Sequence, residues 1–137
     1  MAVAFQGYKA FAPEGWEPPD ELTPANVERL RGELAAPDAF ALMAMHAGDP
    51  IGHALWITLE DGLVHLRHLF VYEPWWGTEV ARTLHARAVE AMAGRPARLF
   101  TPAGHIRARR FYEREGWRFG EERLDKAFGM TLAEYRR

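Results

Sequence analysis

Two stretches of this 137-residue sequence carry residue types that could do chemistry together. The first is Pro74-Trp75-Trp76-Gly77-Thr78-Glu79-Val80-Ala81-Arg82, a loop with a glycine and small residues leading into an apolar series that repeats every four positions. A loop that opens a helix presents backbone N–H groups and the positive end of the helix dipole, which suits a phosphate; a lone glycine there equally meets the needs of an ordinary turn. The second is His105-Ile106-Arg107-Ala108-Arg109-Arg110-Phe111-Tyr112-Glu113-Arg114-Glu115-Gly116-Trp117. Its spacing sends Phe111 into the core and lets the Tyr112 hydroxyl reach neighbouring strand ends, although a tyrosine at this spacing also reads as plain core. His46, His53, His65 and His68 are candidates for moving a proton near neutral pH. His65 and His68 share one strand, whose period of two sends them to opposite faces, so at most one should face a site.

The elements that must hold these groups follow from periodicity and punctuation. Thr23-Pro24 sets a capping hydroxyl beside a first-turn proline, and Val27, Leu30 and Leu34 follow at helical spacing, which predicts a helix near 24–35. Ala39 to His46 and Ile51 to Leu59 read as strands joined by a turn at Gly48-Asp49-Pro50, and Leu63 to Tyr72 as a third strand after Asp61-Gly62. Val80, Leu84, Ala88 and Met92 mark an amphipathic helix that Gly94-Arg95-Pro96 ends. Ala97 to Thr101 is a short strand and Ile106 to Arg114 a short helix; strands follow from Trp117 and through Phe128, Met130 and Leu132. Before them, Pro13, Gly15, Pro18 and Pro19 make an irregular arm of the first twenty residues. The fold class is α+β: a mixed sheet in which an antiparallel meander is followed by a β-α-β crossover and a C-terminal α-β-β, with a shortened N-terminal region. The crossover makes the strands at 63–72 and 97–101 parallel, with loops meeting at their C-terminal ends, the edge where such sheets bind ligands. One domain, 1–137, is expected, with 1–36 an arm plus a helix and 37–137 the core.

Together the two chemical stretches resemble the GNAT superfamily of acetyl-CoA-dependent N-acetyltransferases, over roughly residues 37–137. In that family a strand ends in Val, and six residues on a loop of the form Q/R-x-x-G-x-G/A opens a helix; here Val71 lies six residues before Gly77 and the loop aligns as Trp76 to Ala81. The family's later signature, N-x-x-A-x-x-F-Y-x-x-x-G-F/W, matches at Ala108, Phe111, Tyr112, Gly116 and Trp117. The departures are Trp76 for Gln or Arg, Glu79 for the first motif glycine, and His105 for Asn. The resemblance implies that pantetheine lies along the backbone at Phe70 and Val71, and that Gly77, Thr78, Val80, Ala81 and Arg82 surround the pyrophosphate, beside Trp76 and Glu79. It also implies outer-phosphate contacts from the segment that begins at His105, with Arg107, Arg109 and Arg110 as candidates, and a general-acid role for Tyr112 on the CoA thiolate. In histone-acetylating relatives a Glu base sits six residues before the equivalent Val, where this sequence has His65. The function implied is transfer of an acetyl group from acetyl-CoA to a primary amine, small molecule or peptide, by direct attack and without a metal. Glu79, His105 and the reduced N-terminus support a rival, a GNAT-like binding or interaction module without catalysis; an unrelated α+β domain without CoA is a third reading.

Composition limits the other classes. With no cysteine, a disulfide scaffold, Cys-ligated zinc, an iron–sulfur cluster and thiol catalysis are excluded. Apolar stretches such as Ala39 to Met45 are far short of a membrane span, and Met1 to Phe5 lack the features of a secretory signal, so a cytoplasmic protein is expected. The net charge of −2 conceals an asymmetry: residues 1–62 sum to −7 and residues 63–137 to +5, so the C-terminal half could attract an anion. No basic run or basic–aromatic repeat supports nucleic-acid binding. Trp16, Trp56, Trp75 and Trp76 would line an acceptor pocket, the core or a homodimer interface.

Overall fold

The computed structural model describes residues 14–15 and 24–137; apart from Glu14 and Gly15, which form a turn, the N-terminal arm expected from the sequence lies outside the described residues. Helix α1, Pro24–Ala35, starts on its proline, which lacks the N–H that a first-turn residue would leave unpaired. Strands β1 (Phe40–His46), β2 (Asp49–Thr58) and β3 (Val64–Val71) then form an antiparallel meander in the order β1-β2-β3. Its first turn is tighter than the sequence predicts. Ala47 (φ 49°) and Gly48 (φ 86°) alone form it, with the two left-handed residues that match the twist of a hairpin, so Asp49 and Pro50 already belong to β2. Pro50 is tolerated because pairing with β3 begins only at Gly52.

A 3₁₀ turn, Glu73–Trp75, follows β3, and helix α2 spans Val80–Met92. One face of α2 buries Leu84, Ala88 and Met92 against the face of the meander that carries Ala54, Trp56, Val64 and Leu66. The fit leaves no spare room at Gly52, where a Cβ would come within 2.6 Å of the Phe70 carbonyl oxygen and 3.1 Å of Leu84 Cδ1. The helix ends where Ala93 and Gly94 turn left-handed, and Arg95 locks that end. Its Nε donates to the Met92 carbonyl at 3.0 Å, its Nη1 donates to Thr58 Oγ1 at 3.2 Å, and its guanidinium covers the Trp56 ring.

The chain divides into two compact units, one comprising Glu28–Ala97 and one built on Arg98–Arg137. In the second, β4 (Ala97–Pro102), β6 (Met130–Arg136) and β5 (Arg118–Asp125) pair antiparallel in that order, and α3 (Ile106–Arg114) joins β4 to β5. Leu99, Thr101, Tyr112, Trp117, Ala133 and Tyr135 are its buried centre. None of the described helices is long and apolar enough to cross a membrane.

Candidate functional site

The loop between β3 and α2 is built from its own sequence. Gly77 takes φ 76°, a conformation that costs other residues but not glycine, and it turns the chain out of the 3₁₀ segment toward the helix. Thr78 closes the loop: its hydroxyl donates to the Trp75 carbonyl at 2.6 Å and accepts from the Val80 N–H at 3.4 Å. The first bond of α2 runs from the Thr83 N–H to the Glu79 carbonyl, so the Ala81 and Arg82 N–H groups lie ahead of the ladder, at the positive end of the dipole. Glu79 stands at the N-cap in ordinary right-handed backbone (φ −72°), so this position does not require the family's glycine. Its carboxylate makes no capping bond and pairs with Arg82 at 3.3 Å. Trp76, 48% exposed, folds back and donates its indole N–H to the Val71 carbonyl at 2.8 Å, so the strand end is tied to the loop that follows it.

The histidines do not divide between the two faces of the sheet. Pairing runs Ile57 with His65 and Trp56 with Leu66, then Leu55 with His68 and His53 with Phe70, which leaves Arg67 as an extra residue. This bulge shifts the alternation by one, so His65, His68, Phe70 and His53 share the face opposite Trp56 and Ala54. The expectation that His65 and His68 face opposite ways is therefore corrected. His53 stacks on Phe70 at 5.6 Å and meets the edge of His68 at 5.5 Å, making an aromatic cluster two strands wide. Burial, reinforced by His53, Arg67 and His65, lowers the pKa of His68 to about 3, and burial also lowers that of His53. Arg67 is held by Glu33 of α1 at 3.2 Å.

In the other unit, His105 caps α3, accepting the Ala108 N–H on Nδ1 at 3.4 Å; burial and then Arg107 lower its pKa. An imidazole here does the capping work of an asparagine. Tyr112 is the residue that α3 buries, 9% exposed among the rings of Phe111, Trp117 and Tyr135, while Phe111 is half-buried. Phe111, expected in the core, thus stands at its margin, and Tyr112 takes the core position that its spacing also allowed. Arg109 is bound within its own unit. Its guanidinium donates to the Tyr135 hydroxyl (3.0 Å), the Ala103 carbonyl (2.9 Å) and Glu122 (2.7 Å), and Tyr135 in turn donates to Glu113. Those bonds raise the pKa of Arg109 and make it a cross-brace of α3, β5 and β6. Among the described residues no group of three or more His, Asp or Glu could hold a metal ion.

A family profile described as an acetyltransferase (GNAT) domain matches residues 9–135. The chain belongs to the GNAT acetyltransferase family. Comparison with curated protein sequences gives no match. Among solved structures, a GNAT-family protein of Desulfovibrio desulfuricans superposes with a TM-score of 0.70 at 21% identity, over 98% of this chain and 88% of that one. A Bacillus anthracis protein solved with acetyl coenzyme A gives 0.67 at 16% identity, over 78% of this chain and 66% of that one. Nourseothricin acetyltransferase gives 0.66 at 18% identity, over 73% and 65%. The chain thus spans about two thirds of the length of the last two. At these identities the likeness is one of fold.

In this GNAT chain the family's loop position is filled by a left-handed Gly77, a threonine lock and a helix start, which together fit a pyrophosphate. Two side chains qualify the fit. Glu79 sets a carboxylate at the helix start, partly offset by Arg82, and Trp76 occupies the Val71 carbonyl beside which the family resemblance runs pantetheine.

Proposed function

We propose that this protein transfers an acetyl group from acetyl-CoA to a primary amine by direct attack. The observation that carries the reading is the loop at Gly77: a left-handed glycine and the first N–H groups of α2, one short turn after the strand end at Val71, in a chain of the GNAT family. The amine nitrogen bonds to the thioester carbonyl carbon, the C–S bond breaks, and the amine's proton must leave as the sulfur gains one. Gly77, Thr78, Val80, Ala81 and Arg82 hold the pyrophosphate, while Phe70 and Val71 offer their backbone to pantetheine, with Trp76 and Glu79 at the margin. His65, on the face it shares with His53 and His68, takes the amine's proton directly or through water, and the Tyr112 hydroxyl returns one to the thiolate. Calorimetric titration with acetyl-CoA, followed by thiol release on addition of amines, tests this. Micromolar binding with amine-dependent release supports it, and the absence of binding overturns it.

A second reading is favoured by the Trp76–Val71 hydrogen bond, which closes the strand end without any ligand. Under it the domain is a binding module that retains the fold and has given up acetyl-CoA. The same titration separates the two.

A further inference from the structure

The hairpin of β1 and β2 touches the loop that precedes α2 in two ways, one through backbone and one through side chains, both inside the unit Glu28–Ala97. Near the turn the pairing of the hairpin slips: Ala44 pairs with Gly52 and Met45 with Pro50, which leaves Ile51 as an extra residue of β2. A bulge of this kind bends its strand and leaves backbone groups outside the ladder. The Ile51 carbonyl is used there, accepting the Tyr72 N–H at 3.0 Å where β3 gives way to the 3₁₀ turn. At the tip, His46, the last residue of β1, sets its ring against the indole of Trp75, with 4.6 Å between centres and a tilt of 54°.

Trp75 is where the bonds of that loop converge. Its N–H donates to the Tyr72 carbonyl at 2.9 Å, and its own carbonyl accepts the Thr78 hydroxyl at 2.6 Å and the Thr78 N–H at 3.4 Å. Thr78 in turn accepts the Val80 N–H, the step into α2. Between them Gly77 is left-handed, a residue type that leaves the backbone free to pivot unless its neighbours are held. Among the described residues, His46 is the ring that the Trp75 indole meets. Thr78 thus ties the loop to Trp75, and His46 ties Trp75 to the sheet. The contact is one of ring against ring, so a phenyl group in place of the imidazole would serve it as well.

We propose that His46 is a positioning residue for this loop: through Trp75 and Thr78 it holds the N–H groups at the start of α2 in the arrangement that receives the cofactor's pyrophosphate. The role of those N–H groups rests on the acetyl-CoA reading; the clamp of the hairpin on the loop does not. The test compares H46A, which deletes the ring, with H46F, which keeps a ring and removes both nitrogens. In NMR of the whole chain without ligand, the backbone amides of Trp75, Trp76 and Thr78 exchange faster in H46A and at the wild-type rate in H46F. Calorimetry with acetyl-CoA finds affinity weakened about three- to tenfold in H46A, the scale of one aromatic pair, and restored in H46F. In turnover H46A raises KM for acetyl-CoA and leaves kcat at saturation unchanged, as befits a group that touches no reacting atom. Adding H46A to W75A weakens binding no further, because the pair is already broken. Loop amides that exchange in H46A at the wild-type rate overturn the proposal whether or not acetyl-CoA binds. Unchanged affinity in H46A beside a wild type that binds overturns it too, as does a loss that H46F shares, which would make the imidazole nitrogens the working part. Faster exchange in H46A with no acetyl-CoA binding by the wild type supports the clamp and sinks only the acetyl-CoA reading.

Discussion

His65 and His68, three residues apart on β3, lie on the same face of the sheet because Arg67 is the extra residue of a bulge between them. Both therefore stand on the face that carries His53 and Phe70. With a pKa near 3, His68 stays neutral wherever an amine could attack, so it is a weak proton acceptor at neutral pH and a packing partner of His53 and Phe70. His65→Ala should lower kcat/KM by about 10²-fold and remove the acidic limb of its pH profile. His68→Ala should leave the shape of the profile intact and lower stability. A folded, CoA-binding His65→Ala protein with the wild-type profile would assign the proton to another group, His53 first.

The same residue predicts how stability depends on pH. Above its ordinary value of 6.5, His68 is neutral in both the folded and the unfolded chain. Below that, the unfolded chain takes up a proton that the folded one refuses until about pH 3, so the folded state loses up to about 1.4 kcal/mol per pH unit on this account. His53 acts in the same direction. Urea midpoints measured between pH 7 and pH 4 should fall less steeply in His68→Gln than in the wild type; parallel curves would mean that His68 is not buried neutral.

Much of this architecture is legible from sequence, for reasons that also mark where legibility stops. The helix over 106–114 is bounded by His105 and Gly116, and α2 by Val80 and the Ala93-Gly94 pair, so local punctuation sufficed there. The bulge at Arg67 leaves no such mark. It depends on β2 supplying one residue fewer, and a single inserted residue reverses every later side chain on the strand. Arg109 resembles its neighbours Arg107 and Arg110 until the fold brings Tyr135 and Glu122 to it from strands far along the chain. Arg98 and Arg123 each read as a solvated charge on an alternating strand; only the pairing of β4 and β5 through β6 brings both to the ring of Phe100.

Trp76 offers a direct test of the strand end. If its indole N–H competes with pantetheine for the Val71 carbonyl, Trp76→Phe should keep a ring and delete the donor, and acetyl-CoA affinity should rise by a few-fold, on the order of 1 kcal/mol for one hydrogen bond at a half-exposed site. Weaker binding would instead make Trp76 part of the cofactor's own contact surface. Comparison of acetyl-CoA with desulfo-CoA by calorimetry confines the effect to the arm when both shift together.

Under the proposed acetyl-CoA reading, Glu79 stands at the pyrophosphate end of the cofactor. Its backbone is ordinary, so Glu79→Gln removes the charge without altering the loop and frees Arg82 from its 3.3 Å partner. Acetyl-CoA should then bind more tightly, by about 0.5–2 kcal/mol for a screened surface charge, and the gain should shrink at high salt. A salt-independent change, or none, would mean that the pyrophosphate does not lie at this helix start.

Tyr112 carries the most demanding prediction, because it is nearly buried among Phe111, Trp117 and Tyr135 and so has a packing role whatever its chemistry. Substitution by Phe preserves the ring, so stability should change by less than about 1.5 kcal/mol, the scale of one neutral hydrogen bond. A hydroxyl that protonates the departing thiolate would be missed only as the C–S bond breaks. Tyr112→Phe should therefore lower kcat by up to about 10²-fold with little change in acetyl-CoA affinity. The loss should also vary with the thiol: an acetyl donor whose thiolate leaves without protonation, such as an acetylated aromatic thiol, should restore much of the rate. An equal loss with both donors would confine Tyr112 to packing, and an unchanged rate with acetyl-CoA would remove it from the mechanism.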